Sequence, residues 1–192
     1  MTTTNILLCG VGGQGTLLAS NLIADCAMKA GFDVKKSEIH GMAQRGGSVV
    51  SHVRFGDKIA SPIIRKGEAD IVLSFEELEA IRWAEYLKPD GIVITNSQKI
   101  LPMSVSAGSE KYPENIPEIL SQSSIQNICV DAVGKAMQLG NQKCLNVVLL
   151  GVLAHKLPMI DSNLWKESIK EKVPQKLQEL NLKAFDAGWA LA

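Results

Sequence analysis

The chain has 192 residues, 46% of them hydrophobic, and its 20 Lys and Arg balance its 20 Asp and Glu to a formal net charge of zero. That length suits one well-buried domain, expected to span residues 1–192. The even charge argues against a polyanion partner or a disordered tail, so nucleic-acid binding is not expected.

The start, "MTTTNILLCGVGG", has no basic region ahead of its glycines and does not read as a signal peptide. "NILLC" is a short apolar run ending at glycine, as in a strand buried on both faces. From Thr16 to Ala30 the rows Leu18–Leu22–Cys26–Ala30 and Ala19–Ile23–Ala27 form one apolar helical stripe, with Asn21, Asp25 and Lys29 opposite and Gly31 as the stop. "FDVKKSEI" is a second strand, completing a βαβ unit. "HGMAQRGG" has neither helical nor strand period. "SVVSHVRFGDKIASPII" alternates around Gly56-Asp57 and predicts a β-hairpin or arm, with Pro62 suited to an edge.

The βα rhythm resumes with "ADIVLS" as strand, "FEELEAIRWAEYL" as helix, "KPDG" as turn and "GIVITNS" as strand. "QKILPMSVSAGSEKYPENIPE" is rich in Pro, Ser and Gly and reads as a long surface connection. "IQNICVDA" is a further strand. Helices follow over about residues 133–140 and through the apolar "LNVVLLGVLAHKL", which is too short for the ~20-residue bilayer span. Two amphipathic helices, parted near Pro174, close the chain. With no signal peptide or membrane span, a cytoplasmic protein is expected. The fold expected is α/β: a three-layer, mostly parallel Rossmann-like sheet with an inserted β-hairpin and a helical C-terminal end.

Cys9, Cys26, Cys129 and Cys144 are scattered, with no C-x-x-C pair, which argues against a disulfide framework, a zinc site or an iron–sulfur cluster in this chain. All four read as structural, and no metal site is expected.

The "GVGGQG" turn places Gly10, Gly12 and Gly15 at the spacing of a dinucleotide loop between a strand and a helix, where backbone N–H groups and the helix dipole can meet phosphate. A P-loop would need Lys where Thr16 stands, so an NTPase is not expected. A dinucleotide site needs an acid about 20 residues on, and Glu38 lies about there. Two readings stay open from spacing alone: an NAD- or flavin-binding oxidoreductase, or glycines that serve only the turn and close packing, as in a non-catalytic scaffold subunit. The second glycine-rich stretch gathers Glu38, His40, Gln44, Arg45 and Ser48 among Gly41, Gly46 and Gly47, a composition that suits a binding surface better than a core. Arg45 could clamp a carboxylate or phosphate with its planar fork.

"GVGGQGTLLASNLIADCAMKAG" followed by "SEIHGMAQRGGSVVSHVRFG" resembles the gamma-type subunits of 2-oxoacid:ferredoxin oxidoreductases of the pyruvate/ketoisovalerate family, nearest those of the indolepyruvate type. The likeness runs over essentially the whole chain, including "ADIVLSFEELEAIR" and "PDGIVITNS". It implies a subunit of an enzyme that decarboxylates an aryl 2-oxoacid such as indolepyruvate oxidatively, giving aryl-acetyl-CoA and carbon dioxide with ferredoxin as electron acceptor. Thiamine diphosphate, magnesium and 4Fe-4S clusters would belong to a large partner subunit, and coenzyme A would be a co-substrate. The chain itself has no G-D-G…N-N segment for thiamine diphosphate and no cysteine run for a cluster, in keeping with that division. Alone it would be inactive; whether it then pairs with itself is open.

Carried over by residue, the resemblance points to Gly10, Gly12, Gly13, Gly15, Gln44, Arg45, Gly46, Gly47 and Ser48 as cofactor- or co-substrate-binding candidates. No catalytic residue is assigned, with His40 and Arg45 the candidates. Asn96 joins the binding candidates because it ends a strand at the edge where α/β sheets hold ligands. Glu76, Glu77 and Glu79 fit the helix macrodipole and read as structural. His52 reads as a strand-face residue, His155 as a helix-end or surface group, and Trp83, Trp165 and Trp189 as core or subunit contacts.

Overall fold

The computed structural model describes residues 3–40, 47–123 and 125–192, the side chain of His40 excepted. Among these, six strands form one sheet in the order β2-β3-β1-β4-β5-β6: β1 (Thr3–Val11), β2 (Asp33–His40), β3 (Ser48–Gly56), β4 (Ala69–Ser74), β5 (Leu87–Asn96) and β6 (Gln126–Val130). β1, β4, β5 and β6 pair in parallel, while β3 runs antiparallel to both β1 and β2. The helices are α1 (Thr16–Lys29), α2 (Glu77–Trp83), α3 (Met103–Ser106), α4 (Ile116–Gln122), α5 (Ala132–Gln138), α6 (Leu145–His155), α7 (Ser162–Lys172) and α8 (Gln175–Trp189).

Alternation along β1 divides the core. Ile6 and Leu8 pack with α1, α6, α7 and α8 on one face, and Leu7 and Cys9 pack with Ala80 of α2 and Ile116 and Leu120 of α4 on the other. Helices therefore cover both faces, making three layers. In α1 the expected stripe is the buried one, with Ala19, Leu22, Ile23, Cys26 and Ala27 inaccessible to solvent. α6 is apolar on nearly every side because it is enclosed: residues 145–154 are buried, Asn146 the one polar residue among them, with α8 packed over it. At that crossing a Cβ on Gly188 would lie 1.9 Å from the Val148 carbonyl oxygen, so the two helix backbones meet in near contact.

The hairpin expected around Gly56-Asp57 does not form. Both edges of β3 are already paired, to β1 and to β2, so no ladder remains for a returning strand. Side chains satisfy residues 57–68 instead. Asp33 Oδ2 accepts the Ile59 N–H at 2.7 Å, Arg54 Nη1 donates to the carbonyls of Ser61 and Ile63 at 3.0 Å each, and His52 Nδ1 accepts the Ile64 N–H at 3.2 Å. The alternation there comes from Ile59 and Ile64 anchoring an irregular arm, both of them buried. The antiparallel pair lies upstream, between β2 and β3. "KPDG" likewise falls inside β5, and Cys129 is exposed on the edge strand β6 while the other three cysteines are buried.

This topology sets the position of the functional edge. Because β3 runs against β1, Val11 at the end of β1 pairs with Ser48 at the start of β3, and His40 at the end of β2 pairs with Val49. Both glycine-rich stretches are thus joined to the sheet at its carboxyl edge, beside the ends of β4 and β5.

Candidate functional site

At that edge β1 turns into α1 through two residues that need positive φ: Gly13 (+106°) and Gly15 (+85°). A side chain at Gly13 would meet open space, so its glycine serves backbone conformation, whereas a Cβ on Gly15 would stand 2.6 Å from Asn146 Nδ2. Gly15 is also the N-cap of α1 and supplies no capping side chain, and the first turn contains no acid. The opening N–H groups of a 14-residue helix are left without a side-chain acceptor, the arrangement that favours an anion.

Gln14 fastens this turn to the neighbouring strands. Its Oε1 accepts the Val11 N–H at 2.7 Å, and its Nε2 donates to the Phe75 carbonyl at 2.8 Å and to Gln98 Oε1 at 2.9 Å. Gly10 leaves the room for it, since a Cβ there would come within 2.9 Å of both Gln14 Oε1 and Phe75 Cβ. The second stretch joins the first through the Gly12 N–H, which donates to the Gly47 carbonyl at 2.9 Å. Beside the turn lies a cavity of about 610 Å³ whose wall includes Gly12, Gly13, Gln14, Gly15, Gln98 and Lys143. Lys143 comes from the short 3-10 turn before α6 and makes no ion pair with any described residue. Lys143 thus reaches the wall of this cavity from far along the chain.

The expected site residues divide unevenly. Gly10, Gly12, Gly13, Gly15, Gly47 and Ser48 come together at this edge. Gln44, Arg45 and Gly46 lie outside the described residues, as does the side chain of His40. Asn96 is fully buried with its amide engaged by the protein, donating to the Phe75 carbonyl at 3.0 Å and accepting the Ala132 N–H at 3.1 Å. It braces β4 and β5 against α5 beneath the site. His52 is buried and holds the 57–68 arm. His155 is exposed and stacked on Trp189 at a centroid distance of 5.0 Å, Trp165 is in the core, and Trp83 and Trp189 are half-buried.

Two features of the site carry no local signature in the sequence: Lys143, and the burial of the acids of α2. Glu76 is 1% exposed and caps α2, accepting the Glu79 N–H at 3.0 Å and the Ile100 N–H at 3.0 Å, with the Tyr112 hydroxyl also donating to it. Burial, then Glu76, pushes the Tyr112 phenol up, keeping that donor protonated. Glu77 is nearly buried, and burial raises its carboxyl above the usual range against the opposing Lys99 ammonium 3.6 Å away. Glu79 is 2% exposed and receives the Ser48 hydroxyl, the Trp83 Nε1–H at 3.3 Å and the Arg82 Nη1–H at 2.9 Å.

The strand order argues against a dinucleotide site of the ordinary kind. That site needs the acid-bearing second strand next to the first, but here β3 separates β2 from β1. Glu38 is moreover engaged by Lys36 Nζ and by the Ser20 hydroxyl at 3.3 Å.

Comparison with known proteins agrees with the fold. A sequence profile of the pyruvate ferredoxin/flavodoxin oxidoreductase family matches residues 5–191. The chain belongs to this family. Indolepyruvate oxidoreductase subunit IorB of Pyrococcus horikoshii is 43% identical over 189 residues, covering 96% of this chain and 93% of that protein. Among solved structures, the pyruvate oxidoreductase subunit PORC of Thermotoga maritima superposes with a TM-score of 0.77 at 22% identity, covering 99% of this chain and 97% of that one. The 2-oxoglutarate:ferredoxin oxidoreductase of Magnetococcus marinus matches with a TM-score of 0.77 at 23% identity, covering all of this chain but 31% of that one. There the same fold is one part of a longer chain.

The buried cysteines are ill-suited to holding a metal or cluster. Cys9, Cys26 and Cys144 are buried on separate elements, and burial drives the Cys26 thiol up to about 12 and the Cys9 thiol higher still, the reverse of what a metal-binding thiolate needs. Among the described residues no group of three or more His, Cys, Asp or Glu could hold a metal ion. No described helix is long and apolar enough to cross a membrane.

Proposed function

We propose that this chain is the small, cytoplasmic subunit of an indolepyruvate-type 2-oxoacid:ferredoxin oxidoreductase. The reaction takes an aryl 2-oxoacid, coenzyme A and two one-electron equivalents of oxidised ferredoxin. It yields aryl-acetyl-CoA, carbon dioxide, one proton and two reduced ferredoxins. Thiamine diphosphate with magnesium and the iron–sulfur clusters reside on a large partner subunit, and the chain is inactive without it. Its own share is to bind and orient: the cavity between the glycine turn and Lys143 receives an anionic group of coenzyme A, and Arg45, in the His40–Ser48 stretch of the sequence, is the candidate for orienting the carboxylate of the 2-oxoacid.

The observation that carries this reading is the cavity itself. It combines an uncapped helix N-terminus, glycines that let a ligand approach the backbone and a lysine that pairs with no acid among the described residues. The 43% identity to an indolepyruvate oxidoreductase subunit supports the substrate class. The test is reconstitution. The purified chain should be colourless and inert, and with its large subunit it should reduce ferredoxin in a coenzyme-A-dependent manner with indolepyruvate or phenylpyruvate. Lys143→Ala should raise the KM for coenzyme A about fivefold, as for one exposed ion pair, and leave kcat within twofold. Turnover by the isolated chain, or a KM unmoved in Lys143→Ala, refutes the reading.

A further inference from the structure

We infer that Glu79 is a positioning residue, which holds the end of the second glycine-rich stretch in place against the β1–α1 turn. The inference rests on the functional reading above for its bearing on catalysis. Three donors converge on this buried carboxylate. Two of them, Arg82 and Trp83, come from its own helix at the i+3 and i+4 positions and would be met on any exposed helix. The third, the Ser48 hydroxyl, is 31 residues away in sequence and belongs to the first residue of β3. That contact is what Glu79 does for the edge rather than for α2.

Ser48 directly follows Gly47, whose carbonyl accepts the Gly12 N–H at 2.9 Å. Two adjacent residues are therefore tied to two different elements, one to the glycine turn and one to α2. α2 is itself fixed to the same edge: the Glu77 N–H donates to the Gln98 carbonyl at 3.1 Å, and Gln98 Oε1 receives Gln14 Nε2 at 2.9 Å. The chain Glu79–Ser48–Gly47–Gly12, closed through Gln14 and Gln98, is a ring of hydrogen bonds and intervening backbone at the end of the second stretch. A carboxylate suits this position because it only accepts, and all three of its neighbours only need to donate. With the side chain 3% exposed, water does not readily replace a lost partner.

The experiment uses Ser48→Ala, Glu79→Ala, the double variant and Ser48→Thr. Hydrogen exchange of the Gly12 amide in the intact chain should quicken at least tenfold in both single variants and stay within twofold of wild type in Ser48→Thr, which keeps the hydroxyl. In the reconstituted complex, with assembly checked by gel filtration, each single variant should lower kcat/KM for the 2-oxoacid about tenfold. The double variant should be no more than twofold worse than the poorer single one. Unchanged Gly12 exchange, or losses that multiply in the double variant, overturns the inference, because Glu79 would then serve only the stability of α2. Quickened exchange in a chain whose wild-type complex shows no coenzyme-A-dependent ferredoxin reduction upholds the positioning role and overturns the functional reading instead.

Discussion

Replacing Gln14 tests whether the glycine turn is held by side-chain hydrogen bonds or merely permitted by its glycines. Gln14→Ala removes three bonds of 2.7–2.9 Å in one step. The consequences differ by partner. The Phe75 carbonyl keeps the Asn96 amide at 3.0 Å, and Gln98 can turn to water, but Val11 is only 9% exposed and its N–H is left without an acceptor. An orphaned N–H of that kind costs about 1–3 kcal/mol, so a net loss of about 2 kcal/mol is expected, or roughly 4–8 °C in Tm for a chain of this size. Gln14→Glu sharpens the test. It keeps the acceptor for Val11 but points a carboxylate at the Phe75 carbonyl and Gln98 Oε1, so at pH 7 it should be at least as damaging as alanine. Protonation restores one O–H donor, so the deficit of the Glu variant should shrink between pH 7 and pH 4 while that of the Ala variant does not. Urea unfolding at the two pH values measures both. An alanine variant within 0.5 kcal/mol of wild type (about the scatter among surface substitutions) refutes the reasoning, as does a glutamate variant indifferent to pH.

Two further predictions concern the support of the site. Burial, and then the charge of Arg54, hold the His52 imidazole below its ordinary pKa, so the folded chain favours the neutral ring that accepts the Ile64 N–H. The stability this contributes is present above the unfolded value near ~6.5 and is lost as pH falls below it toward the folded value. Urea titrations at pH 7.5 and 5.5 should show about 1 kcal/mol less His52-dependent stability at the lower pH, a difference absent from His52→Gln. Gly188→Ala places a methyl group 1.9 Å from a backbone oxygen that no rotamer can move aside, so α6 and α8 must separate. Overpacking should outweigh the ~1 kcal/mol gain in helix propensity and leave a net loss of about 2 kcal/mol, read from the denaturation midpoint. A neutral or stabilised variant excludes the close crossing.

Much of the order of elements was legible because short-range periodicity encodes it. The stripe of α1, the uninterrupted apolar run of α6 and the glycine turn after β1 each report a local requirement of burial or backbone conformation, and each recurs in the fold. The stretches around "GVGGQG" and "HGMAQRGG", with "ADIVLSFEELEAIR" and "PDGIVITNS", carry the resemblance to the family. The arm after Gly56 shows the limit of that method. Its alternating Ile59 and Ile64 have the pattern of a strand, but alternation records which residues are buried and says nothing of whether a ladder edge is vacant to pair with them.

What the sequence by itself determined was therefore the succession of helices and strands and the chemical character of its two loops. Only the tertiary structure decided that β3 enters between β1 and β2, which separates Glu38 from the glycine turn and joins Gly47 to Gly12. It also decided that Asn96 is a brace, that Glu79 is turned inward to Ser48, and that Lys143 completes a cavity begun at Gly12. The physical reason is common to all of these. Each depends on partners tens of residues distant, selected by strand pairing and by the need to satisfy buried polar groups, and no local periodicity records such partners.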